Sequence, residues 1–200
     1  MESTLAQRQT LGFRADAATG IPREEFEEIV RHHQRRVFRI LLSLVADTDT
    51  AETLTQECFL RAYRSRADFR GEASVGTWLV RIAINLAADH GRNRRSAFWR
   101  RLFARPRDGE DVVAQADRIP DPGASPLRQL MAREKLEAVW SAANGLSVNQ
   151  RTAFVLRFVE ELSLEEISQT MELKTGTVKS HLARALASVR RQVKEKSRHE

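Results

Sequence analysis

Only one of the 200 residues is a cysteine, Cys58, so no internal disulfide can form, and a lone thiol fits a reducing, cytoplasmic setting. No apolar run approaches the length needed to cross a bilayer, and the opening MESTLAQRQT lacks the hydrophobic core of a signal peptide. Neither membrane insertion nor export is therefore expected. His32 and His33 are adjacent, which turns them to different sides of a helix, and neither has Cys or His partners at ligand spacing; no metal site is expected. Carboxylate clusters, nucleophile–base pairs and phosphate-cradling glycine loops are also missing, which argues against an enzyme, a cofactor or a small-molecule substrate. Cys58 itself reads as a small buried apolar side chain.

What is present is charge, and helical periodicity. The formal net charge of +6 points to a polyanionic partner. Hydrophobic residues make up 42% of the chain and charged residues 30%, with a single tyrosine, a balance that favours amphipathic helices over strands. The segment LSLEEISQTMELKTGTVKSHLARAL, from Leu162 to Leu186, carries the most information. Ser163 and Glu166 have the capping-box spacing that starts a helix, and Leu164, Ile167 and Met171 follow at helical intervals. A break at Glu172-Leu173-Lys174 precedes a second helix from about Thr175. In that helix Val178, Leu182, Leu186, Val189 and Val193 form a buried face, opposite Thr177, Lys179, Ser180, His181 and Arg184. Two short helices crossed over a tight turn, with small and cationic groups outward on the second, form a helix-turn-helix that enters the DNA major groove.

Two helical blocks flank a segment of different character. Residues 1–22 show no sustained periodicity and read as a flexible tail. Phe26, Ile29, Val30, Val37, Leu41 and Leu44 then mark a long helix from Arg23, and Asp47-Thr48-Asp49-Thr50 supplies a break with an N-cap. A second helix turns Ala51, Leu54, Cys58 and Ala62 inward. A loop follows over 68–74, and a third helix from Val75 buries Leu79, Ile82, Leu86 and Ala87 before a basic run, HGRNRRSAFWRRLFARPR. In that run Phe98, Trp99, Leu102 and Phe103 form either a small amphipathic extension or a binding surface. From Asp108 the charge turns acidic and prolines accumulate, the composition of a linker. Helicity resumes at Pro126 with Leu130, Leu136, Val139 and Trp140, is closed by Gly145, and continues from Ser147 to Val159. The expected architecture is all-α: a tail (1–22), a first helical domain (23–95), a linker (96–125), a second helical domain with the helix-turn-helix (126–195) and a short tail (196–200).

In this order the segments resemble the extracytoplasmic-function sigma factors of bacterial RNA polymerase, which keep only regions 2 and 4 of the sigma-70 family. AETLTQECFLRAY resembles region 2.2, GTWLVRIAINLAADHGRNRR regions 2.3 and 2.4, and LSVNQRTAFVLRFVEELSLEEIS with GTVKSHLARAL region 4. The resemblance implies core RNA polymerase and promoter DNA as partners, with an anti-sigma protein as a further one. It implies docking on polymerase through Gln56, Glu57 and Leu60, which lie on a mixed polar stripe that would otherwise read as a solvated helix face. It also implies capture of the opened −10 element by the third helix and the loop before it, from Phe69 to Ser74. There Arg81, Asn85, Ala88 and Arg92 align at intervals of three to four. Asn85 offers both a donor and an acceptor to an unpaired base, and Arg81, Arg92, Arg94 and Arg95 can neutralise phosphates. Trp78 reads as core. At the −35 element, Lys179 and Arg184 would meet phosphates or guanine edges, and Thr177, Ser180 and His181 would make shorter contacts.

The chain departs from the family pattern at four positions: Thr53 where an acidic residue is usual, Glu172 where glycine is common, Lys174 in place of a small N-cap, and His181 in place of arginine. A competing reading is a stand-alone helix-turn-helix regulator whose first block oligomerises or senses a signal. It requires tight specific DNA binding without polymerase, usually as a dimer on a symmetric site.

Overall fold

The computed structural model describes residues 20–101 and 136–196, with side chains over 20–92 and 136–195. Every regular element among the described residues is helical. The expected linker and the expected starts at Pro126 and Leu130 lie outside them, as do residues 1–19, Leu102, Phe103 and 197–200.

The first unit is built from α1 (Arg23–Val45), α2 (Thr48–Ser65) and α3 (Val75–Arg101), with a short 3-10 turn at Arg66–Asp68. Each start has a local cause. Pro22 precedes α1 and has no amide hydrogen to leave unpaired, while Glu24 and Glu25 sit in its first turn, where the helix dipole favours negative charge. The Asp47 carboxylate accepts from the Thr50 amide at 2.8 Å and caps α2. The Ser74 hydroxyl oxygen accepts from the Thr77 amide at 3.1 Å and starts α3. The core between the three helices contains Phe26, Ile29, Val37, Leu41, Ala51, Cys58, Phe59, Ala62, Leu79, Ala83 and Leu86, all buried. Ile82 and Ala87 are only partly buried at its edge.

Two boundaries differ from the expectation. Ile21, assigned to the tail, is buried in this core, and its amide donates to the Arg66 carbonyl at 2.8 Å. Gly20 makes that approach possible, since a Cβ there would stand 2.3 Å from the Ala67 carbonyl oxygen. At the other end α3 continues to Arg101, past the expected domain boundary at residue 95, because no proline interrupts the chain between Val75 and Arg101.

The second unit comprises α4 (136–144), α5 (Val148–Phe158), α6 (Leu164–Met171) and α7 (Thr175–Lys196). Capping boxes Ser147–Gln150 and Ser163–Glu166 start α5 and α6. The Glu166 carboxylate, which accepts from the Ser163 amide at 2.8 Å, has its pKa lowered by that bond. Ala142, Ala143, Leu146, Phe154, Ala185 and Val189 make one core, and Val155, Leu156, Ile167, Val178 and Leu182 belong to another.

That second core does not stop at the unit's edge. Ile40 of α1 and Val80 and Ile84 of α3 are buried in the same cluster, with Leu44 beside them. The two units therefore pack directly on one another, an arrangement the sequence pattern did not indicate.

Candidate nucleic-acid interface

The helix-turn-helix owes its shape to one residue of unusual backbone. Glu172 ends α6 in the left-handed conformation, φ 54°, and its amide reaches back to the Gln169 carbonyl at 3.4 Å. An L-residue pays a steric cost there that glycine does not, consistent with the glycine expected in this turn. The Leu173 amide donates to the Ser168 carbonyl at 3.1 Å, and the Lys174 carbonyl accepts from Thr177 and Val178 to open α7. Lysine has no acceptor with which to cap, so this helix start lacks the side-chain support a serine or aspartate would give.

α7 is buried on one side through Val178, Leu182, Ala185 and Val189. Thr177, Lys179, Ser180 and Arg184 are exposed on the other, forming a small polar surface flanked by two cations. The Ser180 hydroxyl donates to the Gly176 carbonyl at 3.0 Å, which leaves its lone pairs facing outward. His181 departs from its expected place. It is half-buried, and its Nδ1 is covered without a hydrogen-bond partner among the described residues, so it sits at the margin of this face.

On α3, Asn85 and Arg92 are exposed and Ala88 partly so. Arg92 pairs with Asp89 one turn back. Arg94 and Arg95 lie on the same helix, their side chains outside those described. Arg81 is not free in this arrangement: its Nη2 donates to the Gln169 carbonyl at 2.7 Å and its Nη1 lies 3.5 Å from the Glu172 carboxylate. Its expected role as an outward cation is thus pre-empted by α6. In the preceding loop Phe69 is buried against Trp78, ring centroids 5.0 Å apart, so both rings serve the core; Arg70, Gly71, Glu72 and Ser74 are exposed.

The third expected surface is on α2. Gln56 and Leu60 are exposed, with Thr53 one turn before Gln56. Leu60 is one of two large apolar side chains that stand out in water among the described residues. Glu57 lies at the edge, its carboxylate accepting from Arg61 Nε at 2.7 Å. Behind this face Cys58 is buried, donating weakly to the Leu79 carbonyl, and burial pushes its thiol up to about 12. It is a packing residue. No group of His, Cys, Asp and Glu among the described residues is arranged to hold a metal.

Sequence reasoning missed the charged residues between the units. Glu160, after α5, is almost fully buried, with a side chain 3% exposed, and accepts from Arg36 Nε at 2.6 Å and Arg39 Nη2 at 2.9 Å. Arg151 Nε donates to the Ser43 carbonyl at 2.9 Å, and burial pulls its guanidinium down to about 10, still charged at neutral pH. The available signal was apolar: Ile40, Val80 and Ile84 widen the hydrophobic stripes of α1 and α3 beyond one face.

Comparison with known proteins matches both units. Residues 29–97 match the model of Sigma-70 region 2, and residues 136–189 that of Sigma-70, region 4. The RNA polymerase sigma-H factor of Pseudomonas aeruginosa is 33% identical over 172 residues, covering 82% of this chain and 83% of that protein. The ECF RNA polymerase sigma-E factor of Haemophilus influenzae is 32% identical over 169 residues, covering 82% and 84%. Among solved structures, the sigma factor RpoE of Bartonella quintana, in complex with the anti-sigma factor NepR, superposes with a TM-score of 0.65 at 21% identity, covering 86% of this chain and 98% of that one. That likeness concerns the fold. With both regions present in order, and relatives above 30% identity spanning most of their own length, the chain belongs to the sigma-70 family as an extracytoplasmic-function RNA polymerase sigma factor.

Proposed function

We propose that this sigma factor binds core RNA polymerase through the α2 face of Gln56, Glu57 and Leu60, holds an opened −10 strand against α3, and seats α7 in the major groove of the −35 element. The observation that carries this reading is the division of α7: a buried apolar side, and an exposed side of Thr177, Lys179, Ser180 and Arg184 whose donors, acceptors and charges suit base edges and phosphates. Asn85, exposed on α3, supports the second DNA contact, because its amide matches a Watson–Crick edge once a base is unpaired. The domains are 23–95 and 126–195, extended at their ends by Ile21 and the last turns of α3. Joining two DNA-reading domains to a polymerase subunit raises overall affinity through effective concentration, so neither contact need be strong alone. An anti-sigma protein is a further partner, by analogy with the RpoE–NepR complex.

Reconstitution tests the reading. The purified chain is added to sigma-free bacterial core polymerase, and co-elution and start sites on a genomic promoter library are measured. Co-elution with discrete start sites is expected, and would yield the −10 and −35 sequences together. Failure to bind core polymerase, with specific binding to duplex DNA alone, would replace this reading with that of a stand-alone regulator.

A further inference from the structure

The loop from Phe69 to Ser74 is short and pinned at both ends. At its exit the Ser74 hydroxyl oxygen accepts from the Thr77 amide at 3.1 Å, which ties the loop to the first turn of α3. Gly71 turns within it at φ 69°, a conformation that other residues reach only at a steric cost. At its entry the 3-10 turn Arg66–Asp68 is clamped by a segment far away in sequence. The Ile21 amide donates to the Arg66 carbonyl at 2.8 Å, and the Phe69 amide donates to the same oxygen at 3.4 Å. One carbonyl thus joins the lead-in of α1 to the first residue of the loop. Gly20 lies so close to the turn that a Cβ would stand 2.3 Å from the Ala67 carbonyl oxygen, and the Ile21 side chain is buried in the core. Arg66 is held in its turn. Its Nη1 donates to the Tyr63 carbonyl at 2.7 Å and its guanidinium stands 4.1 Å from the centre of the Tyr63 ring, which packs edge to face on Phe26 of α1.

We infer that Gly20 and Ile21 are positioning residues for the −10 strand: they fix the entry of the loop that meets the DNA without touching it themselves. The clamp is made largely by backbone atoms, the Ile21 amide, the Arg66 carbonyl and the main chain of Gly20 and Ala67, so it sets the path of the chain as well as covering apolar surface. A loop already ordered when the strand arrives spends none of the binding energy on its own ordering. Reading an extruded base also needs its partners held to a fraction of an ångström, which a loop loose at one stem would not provide. Glycine is required at position 20 because any side chain would push the lead-in off the turn. The consequence for strand capture rests on the proposed role of the loop, whereas the clamp itself does not.

The test has two parts. In the free full-length chain, a spin label on Glu72→Cys, an exposed loop position, reports loop mobility; Cys58 is buried and does not compete. In unlabelled holoenzyme, permanganate footprinting at a mapped promoter gives the opening rate, and single-base variants of the −10 element give the discrimination. Gly20→Ala and Ile21→Ala should each mobilise the label, slow opening about tenfold and relax −10 discrimination. Co-elution with core polymerase and affinity for −35 duplex should stay as in wild type. Ile21→Ala covers the case in which Gly20→Ala disturbs folding, and Ile21→Val, which keeps the amide and most of the buried side chain, should restore wild-type behaviour. Leu42→Ala thins the same core near the far end of α1 and controls for lost stability; it should change neither label mobility nor discrimination. A label indifferent to both anchor variants would overturn the clamp. A mobilised loop with wild-type opening and discrimination, or the same losses in Leu42→Ala, would overturn the positioning role. If Arg70→Ala with Glu72→Ala left opening and discrimination unchanged, the proposed function would fail at this loop, while label mobility would still decide whether Gly20 and Ile21 fix it.

Discussion

Replacing the two cations that flank the outward face of α7, by Lys179→Ala and Arg184→Ala, tests whether that face meets DNA. Both side chains are exposed, and neither is in an ion pair among the described residues, so removing them breaks no salt bridge there. Each cation that neutralises a phosphate releases counterions and contributes about 0.9 to the slope of log affinity against log salt. Over a fourfold rise in salt, such a contact weakens wild-type binding by about 3.5-fold, and two of them by about twelvefold. The single variants should flatten the slope by about 0.9 each and the double variant by about 1.8. Fluorescence anisotropy of a labelled −35 duplex from a mapped promoter, titrated with the full-length chain between 50 and 200 mM salt as for other DNA-binding proteins, reads this directly. Arg31→Ala, exposed on α1, should leave the slope as in wild type. A residue that contacts a guanine edge instead will show itself by relaxed discrimination at one base pair, worth about 1–3 kcal/mol. Unchanged slope, affinity and discrimination in the double variant would refute the assignment of this face.

Asn85→Ala should slow promoter opening about tenfold, equivalent to about 1.4 kcal/mol of lost base contact, while polymerase co-elution is unchanged; permanganate footprinting of the opened strand checks it. Glu172→Gly should raise stability by about 1 kcal/mol, because it removes a left-handed non-glycine residue and loses only an exposed ion pair with Arg81, measurable as a higher urea midpoint at constant m. Acid should weaken the fold through His33, whose pKa falls from 6.5 to about 4 because it is partly buried and stands beside His32 and Arg36. The folded state refuses a proton that the unfolded chain accepts. Its contribution is therefore complete above about pH 6.5 and lost as pH falls from there toward 4. With His33 only half-buried, that amounts to about 1–2 kcal/mol after discounting for solvent, and His33→Gln should flatten the stability profile in this window, as denaturant titrations would record.

The elements and the candidate surfaces were legible in the sequence because their causes are local. Asp47, Ser163 and Glu166 bond to amides three residues away, and the stripe from Val178 to Val193 repeats at the helical period; both signals are complete within a few turns of chain. The same locality explains the exposed settings of Asn85, Gln56, Leu60, Thr177, Lys179, Ser180 and Arg184, since a residue opposite a buried stripe faces outward. The tertiary structure decided what depends on residues far apart in sequence. It brought Ile21 into the core through an amide bond to Arg66, and moved His181 to the margin of its face. It also turned Arg81 from an open cation into a cap on α6, and buried Glu160 between Arg36 and Arg39, more than a hundred positions away. Periodicity marks which side of a helix is apolar but not which helix will cover it, and a charged residue carries no local sign of a partner across a domain boundary. The sequence alone therefore determined two helical regions and the candidate faces opposite their buried stripes, and only the packing of one region on the other determined that Arg81 is held by α6 and Glu160 by α1.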